Sequence, residues 1–172
     1  MGHPIIEELR QMAEWKVFSE QHKYYAQVAE DARAVECVPM ASAFTPEQLA
    51  IIKKAQYKPK QHLCYKNSSE LVAICSTNRI PNVYYCEGFV LSNNIVRIEH
   101  ALVKVGDKYI DPTFEKCLKL DVTGCTYATI MEIDNKEMWD LQLESGYYGE
   151  LYRYRYIKRT HPEWADKLRR DK

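Results

Sequence analysis

The sequence has no long hydrophobic run and no excess of either charge. Its 172 residues include 24 Lys or Arg and 24 Asp or Glu, so the formal net charge is zero. This balance disfavours a polybasic nucleic-acid binder and an acidic disordered chain. No apolar run approaches the roughly 18 residues of a membrane helix, and the first residues lack the apolar core of a signal peptide. We therefore expect a cytoplasmic protein with no membrane partner.

The sequence also lacks a C-x-x-C pair, the usual beginning of a zinc or redox site. It has six cysteines, an even number that would allow three disulfides. Disulfides are rare in cytosolic proteins, and a reduced cysteine packs as a small hydrophobic side chain. We therefore expect mostly buried, reduced thiols, one of which is reactive. The six are Cys37, Cys64, Cys75, Cys86, Cys117 and Cys125.

The length fits one domain that needs no metal or disulfide to fold, because a chain of this size buries roughly 70% of its unfolded surface. We predict a single domain over residues 1–172, of class α+β. Its parts are a helical N-terminal region at 1–60, a core at 61–133 and a C-terminal extension at 134–172. In the core, we expect a helix packed on an antiparallel sheet.

Helical patterns occupy most of the first half of the chain. Apolar residues recur with a 3.6-residue period over 5–17, and a similar pattern covers 22–35. Thr45 followed by Pro46 and Gln48 is typical of a helix start with a capping box. A further helix is predicted over 64–77.

Strand patterns follow that helix and predict an antiparallel meander. The strands are expected at 83–91, 95–105 and 108–111, with a tight turn at Gly106-Asp107. The last third is less regular. There we predict a strand at 127–133, a helix at 135–144, a strand at 151–157 and a short basic helix at 162–170.

Three residues of the middle segment form a candidate catalytic set. Cys64 begins the predicted helix, where unpaired N–H groups and the helix dipole favour a thiolate. His100 lies on the second strand of the meander, and Asp111 ends the next strand. A hairpin through Gly106 would bring Asp111 close to His100, so that Asp111 orients the imidazole while His100 activates the thiol. The backbone N–H of Cys64 would stabilise an oxyanion.

This order of residues resembles the transglutaminase-like branch of the papain-like cysteine enzymes, a group related to the arylamine N-acetyltransferases. The resemblance covers residues 62–114. Its most specific segment is HALVKVGDKYIDPTF at 100–114, in which a histidine is followed by a strand, a turn and Asp-Pro-Thr. It implies a papain-like or transglutaminase-like core with catalytic Cys64, His100 and Asp111.

Other residues near this set have weaker claims to a role. Tyr65, Glu87 and Gly88 belong to the matching segments, and we predict that they bind substrate. For Gly88 the alternative is a bulge or a close backbone approach. Two further alternatives involve the residues before Cys64: His62 as a rival base, and Gln56 or Gln61 as an oxyanion donor. A metal site could also be built from His62, Cys64, Cys86 and His100, although only the first two are close in sequence.

These observations predict a cysteine-dependent acyl-transfer enzyme that requires no cofactor and no metal. Its substrate would be a peptide, a protein or a small amide or thioester, with hydrolysis, deamidation and transfer to an amine left open. One alternative is a binding protein of the same fold with an unused triad. Another is a nucleic-acid-binding module that uses the C-terminal Tyr and Arg residues, since 152–172 holds eight Lys or Arg against three Asp or Glu. As a strand, however, this tail would place Tyr152, Tyr154 and Tyr156 on one half-buried face.

Overall fold

A computed structural model describes residues 2–14, 19–92 and 96–165, and these form a mixed α+β fold. The helices are α1 (Pro4–Glu14), α2 (Ser19–Asp31), α3 (Met40–Ala43), α4 (Pro46–Lys54), α5 (Cys64–Thr77), α6 (Asn135–Ser145) and α7 (Leu151–Thr160). The strands are β1 (Arg33–Val35), β2 (Val83–Ser92), β3 (Val96–Val105), β4 (Lys108–Ile110) and β5 (Thr126–Ile133). Within the described part, no helix is long and apolar enough to cross a bilayer.

The five strands form one antiparallel sheet in the order β1-β5-β2-β3-β4. The predicted meander is confirmed, because β2, β3 and β4 pair in sequence. Val105 pairs with Lys108, which leaves Gly106 and Asp107 as a two-residue turn. Gly106 has a φ of 61°, a backbone conformation that glycine adopts without the steric cost of a side chain. The last strand, β5, lies between β1 and β2.

The predicted helix start at Thr45 is confirmed as a capping box. The Thr45 hydroxyl accepts a hydrogen bond from the Gln48 N–H at 3.3 Å, and the Gln48 side chain accepts one from the Thr45 N–H at 2.9 Å. Pro46 occupies the first turn of α4. The local sequence therefore places this helix without help from distant contacts.

Side chains of β2 alternate between two apolar clusters, as the pleat of a strand requires. Tyr85 and Phe89 belong to the larger cluster, and Cys86 and Val90 belong to the smaller one. Helix α5 buries its apolar face in the larger cluster through Leu71, Val72 and Cys75. The predicted packing of this helix on an antiparallel sheet is confirmed.

The strand predicted at 151–157 is wrong, because these residues form α7. The alternation of aromatic and charged residues resembles a strand, but a distant carboxylate changes the outcome. Glu87 accepts hydrogen bonds from the N–H groups of Leu151 and Tyr152, both at 2.9 Å, and so caps the start of a helix. Tyr152 and Tyr154 are buried, whereas Tyr156 is half-buried.

One helix ends earlier than the sequence predicts. The helix predicted over 22–35 ends at Asp31, and Arg33–Val35 instead forms β1 and pairs with β5. Pairing across the sheet therefore decides the conformation of a segment whose own pattern is ambiguous. Of the helix predicted at 162–170, residues 162–165 are helical and the remainder lies outside the described residues. The end of the first predicted helix, at 15–17, also lies outside them.

Candidate active site

Cys64 is the first residue of α5, with Leu63 as the N-cap residue. The first N–H groups of a helix have no acceptor within the helix, and they lie at its positive end. Cys64 is half-exposed, whereas Cys37, Cys75 and Cys86 are buried. Desolvation is the main cause that raises the pKa of Cys75 to about 12 and the pKa of Cys37 and Cys86 further. The buried thiols are therefore poor nucleophiles, in contrast to the accessible position of Cys64.

The structure brings His100 and Asp111 together, as the hairpin predicts. The His100 Nε2 atom lies 2.7 Å from Asp111 Oδ2. Val103 pairs with Ile110 in the β3–β4 ladder, so Asp111 lies just beyond the last pair. His100 is 3% exposed and Asp111 is fully buried. The Phe114 ring packs against the imidazole, with 4.8 Å between the ring centroids, and this contact restricts the ring's orientation.

Cys64 also acts on this imidazole, through its influence on the pKa of His100. Burial is the largest influence on the pKa of His100 and lowers it. The charge and hydrogen bond of Asp111, together with a hydrogen bond and charge interaction from Cys64, outweigh burial and raise this pKa to about 9. Because Nε2 is bonded to Asp111, Nδ1 is the ring nitrogen that remains for the Cys64 thiol. His100 is thus bonded to Asp111 and interacts electrostatically with Cys64.

The Asp111 carboxylate accepts hydrogen bonds from three further donors. Its Oδ1 atom accepts hydrogen bonds from the N–H groups of Thr113 and Phe114 at 3.1 and 2.9 Å. Its Oδ2 atom accepts one from the Tyr127 hydroxyl at 3.2 Å. The bonds to 113 and 114 could have been expected, because Asp often accepts from N–H groups two or three residues later. Tyr127 comes from β5, and no local signal connects it to Asp111.

Asn67 connects the start of α5 to the Asp111 segment. Its side-chain amide donates to the Thr113 hydroxyl at 3.0 Å and to the Lys60 carbonyl at 2.7 Å, and its oxygen accepts from the Lys60 N–H at 2.8 Å. Asn67 is 2% exposed. A polar residue one helical turn after Cys64 is the sequence signal that could have identified it.

Glu87 and Gly88, predicted to bind substrate, lie on β2 beside β5. The Glu87 carboxylate is buried and is bonded to the start of α7. Desolvation is the main cause that raises its pKa to about 7, against three hydrogen bonds that lower it. A Cβ atom at Gly88 would lie 2.0 Å from the Ala128 carbonyl oxygen. The β2–β5 register shifts between Glu87 and Gly88, so Gly88 fits the alternative of a bulge with a close backbone approach.

Tyr65 lines a cleft of about 540 Å³. The residues on both sides of Cys64 in the sequence belong to its lining, whereas Cys64 itself does not. We call this space the tyrosine cleft. One wall is formed by residues 62, 63, 65 and 66, and the other by the segment before α7 and by α7 itself. The lining residues are His62, Leu63, Tyr65, Lys66, Tyr147, Tyr148, Gly149, Glu150, Arg153, Tyr154 and Ile157. Of the residues predicted to bind substrate, Tyr65 is therefore the one in this cleft.

The remaining candidates are placed as follows. His62 is exposed and lines the tyrosine cleft, and Gln56 and Gln61 are exposed before α5. The described residues contain no group of three His, Cys, Asp or Glu side chains that could hold a metal ion. Comparisons with protein-family models, with curated proteins and with solved structures find no match to this chain.

Proposed function

We propose that the protein is a cysteine-dependent acyl-transfer enzyme with a papain-like or transglutaminase-like core, in which Cys64, His100 and Asp111 act together. One observation carries the proposal. His100 is bonded to Asp111 through Nε2 at 2.7 Å and interacts with Cys64, which begins a helix. Nucleophile, base and orienting carboxylate in this order are the arrangement that activates a thiol for attack.

In the first half-reaction, the Cys64 thiolate attacks the carbonyl carbon of an amide, peptide or thioester. A C–S bond forms, and the electron pair of the carbonyl moves to oxygen. N–H groups at the start of α5 donate to this oxyanion. When the carbonyl re-forms, the bond to the leaving group breaks, and the protonated His100 supplies its proton to the departing amine or thiolate. A His100 pKa of about 9 keeps that proton in place at neutral pH.

In the second half-reaction, His100 is neutral and acts as a base. It accepts a proton from water or from an amine, and the oxygen or nitrogen attacks the thioester carbon. The C–S bond then breaks, the acyl group leaves as an acid or an amide, and Cys64 returns to the thiolate. Asp111 keeps the imidazole oriented and balances its positive charge. No external oxidant or reductant takes part.

The alternative of nucleic-acid binding through the C-terminal tyrosines is less well supported. Base stacking requires accessible aromatic faces, whereas Tyr152 and Tyr154 are buried. The Tyr152 hydroxyl also donates to Asp31 at 2.7 Å. These tyrosines contribute to packing between α7 and the rest of the fold, which favours the enzyme proposal.

The proposal is tested by the reactivity of individual cysteines. We expect iodoacetamide at pH 6 to modify Cys64 at least tenfold faster than Cys117 and Cys125, which are also half-exposed and serve as internal controls. The variant His100→Ala should lose this difference. Peptide mass spectrometry after timed quenching measures each rate. Equal rates for the three cysteines in the wild-type protein would contradict an activated nucleophile.

A second measurement tests acyl transfer itself. With p-nitrophenyl acetate, the wild-type protein should release close to one equivalent of p-nitrophenolate in a rapid burst, and Cys64 should carry the acetyl group. Cys64→Ala should abolish the burst, whereas Cys117→Ala should retain it. If the wild-type protein shows no burst and no acetylated Cys64, the binding-protein alternative replaces the enzyme proposal.

A further inference from the structure

The Glu87 carboxylate is buried, and its hydrogen-bond partners among the described residues include no cation. It accepts from the Tyr85 hydroxyl at 2.8 Å and from the N–H groups of Leu151 and Tyr152 at 2.9 Å each. A buried carboxylate is costly unless hydrogen bonds compensate for lost water. Its charge here is matched by the positive end of α7. Both carboxylate oxygens therefore fix the start of α7 to β2.

Tyr85 also contacts the segment that precedes α7. The Tyr85 hydroxyl lies 3.2 Å from the Tyr148 carbonyl oxygen, which also accepts a hydrogen bond from the Gln142 side chain at 3.0 Å. Gly149 packs so closely on the Tyr65 ring that a Cβ atom would lie 2.0 Å from it. The position of the far wall of the tyrosine cleft thus depends on Tyr85 and Glu87.

The cleft surface is suited to an uncharged apolar group. Its lining includes four tyrosines, Leu63 and Ile157. Its charged residues have partners: Arg153 lies 3.6 Å from Glu150, and Lys66 lies 3.7 Å from Glu70 and 5.5 Å from the centre of the Tyr148 ring. A volume of about 540 Å³ lies within the range of small-molecule sites.

We propose that the tyrosine cleft receives an apolar side group of the acyl donor, and that Glu87 is a positioning residue that sets the cleft by anchoring α7. This inference rests on the proposed function, because the donor's carbonyl must reach Cys64 from the cleft. It also changes the role predicted for Glu87, which acts through α7 and does not contact the substrate.

The test compares two reagents with the same reactive group, iodoacetamide and N-benzyl iodoacetamide. We divide the rate of N-benzyl iodoacetamide at Cys64 by the rate of iodoacetamide. This ratio measures how well the cleft accepts the benzyl group, because a change in thiol reactivity affects both rates equally. We expect this ratio to fall at least fivefold in Glu87→Ala and to be largely restored in Glu87→Gln, whose amide oxygen still accepts from an α7 N–H. Glu132→Gln is the matched control, because Glu132 is a β5 carboxylate bonded to Lys104 at the sheet surface.

A second variant covers the case in which Glu87→Ala does not fold. Tyr148 is 51% exposed and lines the cleft, while the hydrogen bonds of this residue described above involve its backbone carbonyl. Tyr148→Ala should therefore also lower the ratio of the N-benzyl iodoacetamide rate to the iodoacetamide rate. An unchanged ratio in both variants, or in Tyr148→Ala alone if the other does not fold, overturns the inference. Failure of the proposed function is separate, since it would appear as slow modification of wild-type Cys64 by iodoacetamide.

Discussion

At the scale of single residues, Asp111 is the best-connected group of the candidate site. Its two oxygens have four polar neighbours: two backbone N–H groups, His100 and Tyr127. A fully buried carboxylate needs such partners to offset the loss of hydration. The same partners fix the direction in which it faces His100. Orientation of the imidazole therefore depends on β5 and on the residues that directly follow β4.

Tyr127→Phe tests the contribution of one of these partners. Loss of the hydroxyl removes a neutral donor from Asp111, so more of the carboxylate charge remains available to His100. We expect the pKa of His100, measured by NMR of its ring nitrogens, to rise by a few tenths of a unit. Stability to urea should fall by about 1.5–3 kcal/mol, the usual value of a hydrogen bond to a charged group.

Tyr109→Phe is the matched control for this variant. Its hydroxyl donates to Glu132, another carboxylate, at the exposed surface of the sheet. This control should leave the His100 titration unchanged. Identical titration curves for Tyr127→Phe and the wild-type protein would show that Tyr127 does not influence the His–Asp pair.

At the scale of elements, helix α5 is tied to the rest of the site through Asn67. We predict that Asn67→Ala destabilises the protein by about 2 kcal/mol, because it removes three hydrogen bonds and leaves buried groups without partners. It should also slow alkylation of Cys64, since the start of α5 loses its connection to Thr113. Asn78→Ala is the control at the other end of the same helix, where the exposed side chain donates to the Ile74 carbonyl four residues earlier. Equal effects of the two variants would contradict the prediction.

Strand β2 has no space for a side chain at Gly88. A Cβ atom at Gly88 would lie 2.0 Å from a backbone oxygen of β5, which cannot move without disrupting the sheet. We expect Gly88→Ala to lower the free energy of unfolding by about 3 kcal/mol or more. Gly124→Ala should change it by less than about 0.5 kcal/mol, because a Cβ atom there has no neighbour within 4 Å. Urea denaturation of both variants checks the contrast, and a Gly88→Ala protein as stable as Gly124→Ala would contradict the close approach.

The elements that the sequence predicts correctly are those with local causes. The capping box at Thr45 and the turn at Gly106 depend on neighbouring residues alone, and both appear where expected. The strand prediction for residues 151–157 is wrong because their conformation has a distant cause. Their helix is started by Glu87, which lies more than sixty residues earlier, so no pattern within the segment contains the decisive information.

In the candidate site, too, local features can be predicted from the sequence and tertiary features cannot. The pairing of His100 with Asp111 is predictable, because both residues belong to one short hairpin and the strand pairing fixes their separation. Tyr127, Asn67 and the tyrosine cleft are not predictable in this way. They depend on where β5 enters the sheet and on where α7 packs, and both are tertiary features.

At the scale of the whole molecule, the bond between His100 and Asp111 makes the free energy of unfolding depend on pH. Its pKa of about 9 in the folded protein lies above the ordinary value of 6.5, so the folded state holds this proton more tightly than the unfolded chain does. The stabilisation is fully present below pH 6.5 and is lost as the pH rises through 9. Its size is on the order of 3 kcal/mol.

The measurement is the difference between the wild-type protein and His100→Gln. Glutamine can still donate to Asp111 but does not titrate, and the variant keeps the buried cysteines, whose raised pKa values also weaken the fold at high pH. The free energy of unfolding is measured by urea denaturation at pH 6.5 and at pH 9. Its decrease between these two pH values should be larger in the wild-type protein than in His100→Gln. Parallel pH dependences in the two proteins would contradict the raised pKa of His100.

The late entry of β5 into the sheet has a consequence for the order of assembly. Cys64, His100 and Asp111 all leave the ribosome before this strand, and the hairpin that joins the last two can form without it. The β2 edge, however, stays open until β5 pairs with it, and Tyr127 reaches Asp111 at the same step. Helix α7 follows and docks on Glu87. Because synthesis runs from the N-terminus, the hairpin of His100 and Asp111 can pair before the chain contains the strand β5 and the helix α7 that complete the sheet and the cleft wall.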